Sequence, residues 1–234
     1  MHFGHNRKPM TVESRDSVSL KPAELDEFTQ LLVGVGLVLK DEVLDKHVES
    51  FPLVVVAHDD EGLSGFMFGS LERIGGTPAI LWGLGATRKK VSAIALNAMT
   101  AELARRAAIS FPDEDVLVGS RFAHPAIYMM LNAYSGVVPR PGYSPNGEER
   151  AWGRRLAKRF SCEAGYDDRA FSVRVKTRKP ATLPILDAGG IKATGGAKIV
   201  SLVGEHDPAK GEAMIAFAWA VAEALEAGTY ATSS

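Results

Sequence analysis

Trp82-Gly83-Leu84-Gly85-Ala86-Thr87-Arg88-Lys89-Lys90-Val91-Ser92-Ala93-Ile94-Ala95-Leu96 is the stretch on which the fold turns. Pro78 to Ala86 is an apolar run of strand length. Val91 to Ala107 has helical periodicity, with Ile94, Ala98 or Ala95, Met99 and Leu103 on one face and Glu102, Arg105 and Arg106 towards water. A short basic loop joins the two. The first N–H groups of a helix have no internal partners, and the helix dipole makes that end positive. A strand, a short loop and a helix start therefore form a ready anion site. Arg88, Lys89 and Lys90 add positive charge where a phosphate would sit.

Upstream, Phe51 to Ala57 is β-branched and nearly continuous, which predicts a buried strand. Asp59-Asp60-Glu61-Gly62 is a turn, Leu63 to Leu71 a second strand, and Gly75-Gly76-Thr77 another turn. Three strands one turn apart form an antiparallel meander. Two helices precede it. One starts near Ser19, with Pro22 in its first turn and Glu24, Asp26 and Glu27 at its positive end; the other covers Asp41 to Val48.

Downstream, Val116 to Ser120 is a short buried strand. A helix connects it to the strand before, so the two are parallel neighbours. Pro125 to Ala133 and the Arg- and Lys-rich Glu148 to Phe160 are helices, and Ala170 to Val175 alternates as a strand. Lys179 to Gly196 is rich in Pro and Gly and reads as irregular. Glu212 to Ala227 fits two forms: its alanines favour a helix, and a strand over Ala213 to Ala218 is equally compatible. The order predicts an α+β fold, a mixed central sheet flanked by helices. Residues 1–18 are expected to be a flexible tail, and residues 19–234 one domain whose C-terminal extension begins at about 140.

The bulk composition narrows the function. With 27 basic against 28 acidic residues the net charge is −1, without the basic excess of a nucleic-acid binder. No apolar run reaches the roughly 18 residues of a membrane span. Met1 to Ser19 lacks the apolar core of a signal peptide, so a cytoplasmic protein is expected. The one cysteine, Cys162, reads as an inert, partly buried thiol, and no Cys/His cluster has zinc spacing. His47 and His58 have no partner pattern. His206, between Glu205 and Asp207, reads as part of a solvated loop, so no metal is expected. No Gly-x-Ser-x-Gly elbow supports a hydrolase.

The strand–loop–helix stretch resembles the GNAT acyltransferase superfamily. That family carries Arg/Gln-x-x-Gly-x-Gly/Ala after its fourth strand, and its loop amides hold the pyrophosphate of acetyl-CoA. Here the pattern reads Arg88-Lys89-Lys90-Val91-Ser92-Ala93: the Arg and the final Ala match, and Val91 replaces the central Gly. Leu84, Gly85 and Ala86 fall where the family's strand pairs with the pantetheine arm. A second likeness lies at His124-Pro125-Ala126-Ile127, followed by Gly136 and Pro139. His124 stands at the family's Asn, and the tyrosine that protonates the leaving thiolate falls on Met130. Tyr128 and Tyr134 flank that position, and Tyr134 is the better substitute because Tyr128 lies on another side of the helix.

The resemblance covers about residues 20 to 140. It implies acetyl-CoA as co-substrate, held by Leu84, Gly85, Ala86, Arg88, Lys89, Lys90, Val91, Ser92 and Ala93. It implies direct acyl transfer to an amine of a small molecule, with Tyr134 as candidate general acid and His124 as a further candidate site residue. No nucleic-acid or membrane partner is expected, and a homodimer is compatible. Bland roles stand beside these: a solvated basic loop for Arg88 to Lys90, helix capping for His124, and core packing for the tyrosines. The basic face of Glu148 to Arg159 reads as a solvated face, or as a contact for an acidic substrate or the adenosine 3′-phosphate. The alternative function is a catalytically degenerate GNAT-like protein that binds CoA or another ligand as a sensor or interaction module.

Overall fold

In the computed structural model, residues 10–38, 41–174, 196–204, 206–207 and 210–229 are described. The chain order is β1 (Thr11–Asp16), α1 (Pro22–Gly34), α2 (Asp41–Ser50), β2 (Leu53–Asp59), β3 (Gly62–Ile74), β4 (Thr77–Thr87), α3 (Ser92–Ser110) and β5 (Val116–Phe122). Then follow α4 (Pro125–Leu131), β6 (Ser135–Val138), α5 (Gly147–Arg159), β7 (Tyr166–Asp167), β8 (Ser172–Val173), α6 (Gly196–Val203), β9 (Ala213–Ala220) and α7 (Ala222–Glu226). The strands form one mixed sheet in the order β1-β2-β3-β4-β5-β9-β8-β7, with β6 also on β9. This is the α+β arrangement, a mixed sheet flanked by helices, that the element order implied. The meander β2–β3–β4 is antiparallel and β4–β5 is parallel.

The tail expectation needs correction. Residues 1–9 lie outside the described residues, but Thr11–Asp16 form the edge strand β1, paired antiparallel with β2 from Thr11↔His58 to Asp16↔Leu53. Its polar sequence hides the pairing. Val12 packs on the core, Ser14 donates to the Glu102 carboxylate of α3, and Arg15 binds Glu24 of α1. Ladder bonds and these side-chain anchors replace the apolar signal that a sequence reading looks for. Most of the expected irregular stretch, up to residue 195, also lies outside the described residues.

Helix α3 covers the sheet with the row Ala95, Met99, Leu103 and Ala107, all buried and spaced i, i+4. Ile94 falls one residue off this row and is 63% exposed, which corrects its expected place on the apolar face. Two glycines let the helix sit close. A Cβ on Gly69 of β3 would stand 2.8 Å from Leu103 Cδ1, and one on Gly65 would stand 3.2 Å from Met99 Cε. On the opposite face Phe28 of α1 stacks on Phe66 at 4.0 Å, and Phe51 and Phe160 pack at 6.5 Å.

The ambiguous C-terminal segment resolves as β9. It is a strand because both of its edges are used. One pairs with the whole of β5, from Val116↔Ala220 to Phe122↔Met214. The other is shared, with Ala213 and Met214 on β8 and Phe217 and Trp219 on β6. A nearly continuous apolar segment with two paired edges and two covered faces is stable as a strand, whatever its alanine content.

His47 of α2 is fully buried, stacked on Phe51 at 5.7 Å, and its Nδ1 bonds the Val43 carbonyl at 2.7 Å. Burial depresses its basicity to about 4, and the helix carbonyl only partly offsets this. The unfolded chain binds the proton below about pH 6.5 and the folded chain only near 4, so stability is lost as pH falls through that window. The loss across it is about 3 kcal/mol. Denaturant melts of wild type and His47→Phe at about pH 7 and about pH 4.5 check this: the variant is expected to lose distinctly less stability on acidification.

Candidate functional site

The site starts where two neighbouring strands separate. The β4–β5 ladder runs from Ala79↔Leu117 to Trp82↔Ser120 and stops there. Beyond it β4 continues to Thr87 on β3, while Arg121 and Phe122 of β5 continue on Ile215 and Met214 of β9. Along Gly83–Thr87, among the described residues, β4 therefore has no strand on its β5 side. Alternate amides of this stretch point away from β3, towards the gap.

A register shift sharpens the parting. Met67 pairs with Gly85 and Gly69 with Trp82, so β4 spends one residue more than β3 between these rungs. Such a bulge bends its strand, raises the local twist and re-aims a peptide group. The extra residue falls at Gly83 or Leu84. A Cβ on Gly83 would stand 3.0 Å from Phe51 Cε1, so glycine lets the bulged strand lie against the α2 side. Leu84, Gly85 and Ala86, the residues assigned to the pantetheine arm, thus occupy the one part of β4 that is bulged and single-edged.

Arg88, Lys89 and Lys90 follow directly. Arg88 N–H donates to the Ser64 carbonyl at 2.8 Å, the last tie to β3. A 3₁₀ turn over Lys89–Val91 leads into α3, and Val91 N–H closes on the Arg88 carbonyl at 3.1 Å. Val91 is the N-cap residue of α3, and its apolar side chain makes no capping hydrogen bond. Lys89, Lys90 and Ala93 are exposed. The Arg88 side chain turns back to Asp59 and Glu61, with Nη2 3.1 Å from Ser64 Oγ. Burial alone would raise the Asp59 carboxyl. The Glu61 N–H, the Ser64 hydroxyl and Arg88 together hold it below the ordinary range.

The second motif divides into separate roles. His124 is the N-cap of α4, its Nδ1 accepting the Ala126 N–H at 3.2 Å. The Tyr128 hydroxyl is buried and donates to the Pro139 carbonyl at 2.9 Å, and burial pushes its pKa up to about 12. Tyr134 lies past the end of α4, its ring 6.2 Å from Trp82, the last β4 residue with a β5 partner. Met130, at the motif's tyrosine position, is half-buried against the core. The structure therefore sets the Tyr134 ring beside Trp82, the last paired residue of β4, and keeps Tyr128 in the packing.

Other candidates have structural work. Cys162 is buried, its Sγ 3.4 Å from the Ala157 carbonyl, and burial pushes its thiol up to about 11. Arg159 of α5 binds Glu72 at 2.7 Å and the Ser50 carbonyl at 2.8 Å, and Arg154 binds Asp168, so part of this basic helix is committed to the fold. Glu205 lies outside the described residues. Among the described residues no group of three or more His, Cys, Asp or Glu could hold a metal, and no helix is long and apolar enough to cross a membrane. Three features escaped the sequence reading: the bulge, the place of Trp82 beside Tyr134, and the carboxylates around Arg88. Only the last left a trace, in the acidic turn Asp59-Asp60-Glu61.

No protein-family profile matches the chain, and no curated protein matches it. Among solved structures it is similar to the ribosomal-protein-S18-alanine N-acetyltransferase from Escherichia coli, with a TM-score of 0.41 and 10% identity over 60% of this chain and 86% of that one. It is also similar to a putative acetyltransferase of the GNAT family from Desulfovibrio desulfuricans, with a TM-score of 0.40 and 14% identity over 57% and 91%. A third is the GNAT family N-acetyltransferase YhbS from Escherichia coli in complex with CoA, with a TM-score of 0.37 and 18% identity over 53% and 69%. Similarity at this level assigns no function.

Proposed function

We propose that the chain is an acyl-CoA-dependent N-acyltransferase, with acetyl-CoA as donor and an amine of a small molecule as acceptor. The observation that carries this reading is the single-edged, bulged stretch Gly83–Thr87, which runs directly into the exposed N-terminus of α3. An extended amide-bearing arm such as pantetheine can add along Gly83–Ala86, on the side where β4 has no strand neighbour, as a strand does. Its pyrophosphate then meets the first amides of α3 with Lys89 and Lys90 beside them.

The chemistry follows from the same placement. The amine attacks the thioester carbonyl, the N–C bond forms, and the C–S bond breaks. A free β4 amide facing the gap stabilises the developing oxyanion. Tyr134, beside Trp82, donates its proton to the departing thiolate, and water takes the proton of the amine. The products are the amide and free CoA. A second reading, a CoA-binding protein without turnover, is favoured by Val91 and Met130 at two motif positions.

Calorimetric titration with acetyl-CoA and a thiol-release assay over an amine panel test both readings. Binding with thiol release is expected. Binding without release selects the non-catalytic reading, and absence of binding overturns both.

The two tyrosines separate chemistry from packing. Tyr134→Phe is expected to lower kcat about 100-fold with little change in KM for acetyl-CoA. Tyr128→Phe is expected to leave kcat in place and to cost about 1–2 kcal/mol of stability, because the buried Pro139 carbonyl loses its donor. Steady-state kinetics and denaturant melts on the pair check this, and an unchanged kcat in Tyr134→Phe removes that residue from the mechanism.

A further inference from the structure

We infer that Arg88 is a positioning residue which braces the phosphate loop from behind, and that the anion is met by Lys89, Lys90 and the first amides of α3. The inference rests on the acyl-CoA reading above and departs from the role that the motif gives its leading arginine.

Three observations carry it. The first is where the guanidinium goes: Nη2 lies on both carboxylate oxygens of Asp59 and 3.1 Å from Ser64 Oγ, and Nη1 lies on Glu61. Two carboxylates on one guanidinium leave the cluster with a net negative charge, which repels a phosphate. The second is burial. The Asp59 and Arg88 side chains are only 13% and 24% exposed, so their pairing is weakly screened compared with a surface ion pair. The third is the contrast with the neighbours. Lys89 and Lys90 are exposed, and neither forms an ion pair among the described residues.

The brace is built into the local chain. Asp59 ends β2 and accepts the Glu61 N–H at 2.9 Å, which closes the turn into Gly62, and Gly62 has a φ of +102° that favours glycine. Ser64, two residues on, takes both the backbone N–H and a side-chain contact of Arg88. The β2–β3 turn thus grips Arg88 by main chain and side chain together. It sets the angle at which β4 hands over to the 3₁₀ turn and α3. The consequence is that a turn with no proposed contact to CoA controls how the loop amides are aimed.

A charge exchange decides between brace and ligand. CoA affinity is measured by calorimetry for wild type, Arg88→Asp, Asp59→Arg and the double variant. Each single variant is expected to weaken binding about tenfold through misplacement of the loop. The double variant restores the pair in reverse and is expected to recover affinity to near wild type. If Arg88 contacts phosphate, the double variant binds as poorly as Arg88→Asp, and the inference is overturned.

Thermal melts of the four proteins guard against misfolding. Should the exchange not fold, the salt dependence of CoA affinity serves instead. Its slope is expected to fall in Lys89→Ala with Lys90→Ala and to stay unchanged in Arg88→Gln; the reverse pattern overturns the inference. Failure of wild type to bind CoA sinks the proposed function separately. The melts of the same four proteins then still report whether Asp59 and Arg88 are coupled, and an absence of coupling removes the brace.

Discussion

The architecture depends on one choice of partner: β5 follows β9 and not β4. Up to the Trp82–Ser120 rung β5 holds both neighbours, and beyond it Arg121 and Phe122 stay only with β9. An antiparallel ladder that spans all of β5 outweighs a parallel one of four rungs, and each β5 residue is buried, so the strand cannot shift its register cheaply. The separation is therefore a property of the sheet and needs no loop to hold it open. Everything assigned to the site is placed relative to it: the bulge at Gly83–Leu84 on one lip, the Tyr134 ring beside Trp82 of the last rung, and the N-terminus of α3 past the end of β4.

Seen this way, the segment after residue 140 is part of the machinery that creates the gap. β9 lies far along the chain from β5, yet it supplies the pull. Trp219 of β9 packs edge-on against Trp152 of α5 at 6.1 Å, and Arg155 caps the Trp152 ring at 4.6 Å. The α5 helix in turn ties to the meander through Arg159 and Glu72. The extension thus fixes β9, β9 fixes β5, and β5 leaves β4 single-edged.

How much of this was legible follows from the range of each interaction. The meander, the α3 junction and the parallel β4–β5 step are written in local apolar runs, turn residues and connection lengths. β1 was not legible, because its anchors Ser14–Glu102 and Arg15–Glu24 bridge to helices and leave no apolar alternation. β9 was only half legible, since alanine-rich composition and a doubly paired strand make the same demand for small apolar residues. The bulge had no sequence signal beyond Gly83, whose reason is the ring of Phe51. The site residues divide likewise. The loop and strand positions were readable from the stretch itself, whereas the true partners of Arg88 and Tyr134 come from elsewhere in the chain, at Asp59, Glu61 and Trp82.

The same geometry bears on the two departures from the motif. Val91 occupies the glycine position at φ −123°, in a region open to any L-residue, so the backbone there does not need glycine's freedom. What valine adds is a branched Cβ at the helix mouth, half-buried, and the cost is steric only if an anion must pass over it. Arg88 held back by Asp59 and Glu61 moves the positive charge of the loop forward onto Lys89 and Lys90, whose flexible stems reach past such a side chain. Met130 is the parallel case: an apolar side chain packs where the motif has a tyrosine, and the tyrosine whose ring meets Trp82 is Tyr134. At both positions a side chain of the expected chemistry stands nearby in the chain, Lys89 and Lys90 before Val91 and Tyr134 after Met130, so the two departures change the motif without removing those residue types from its surroundings.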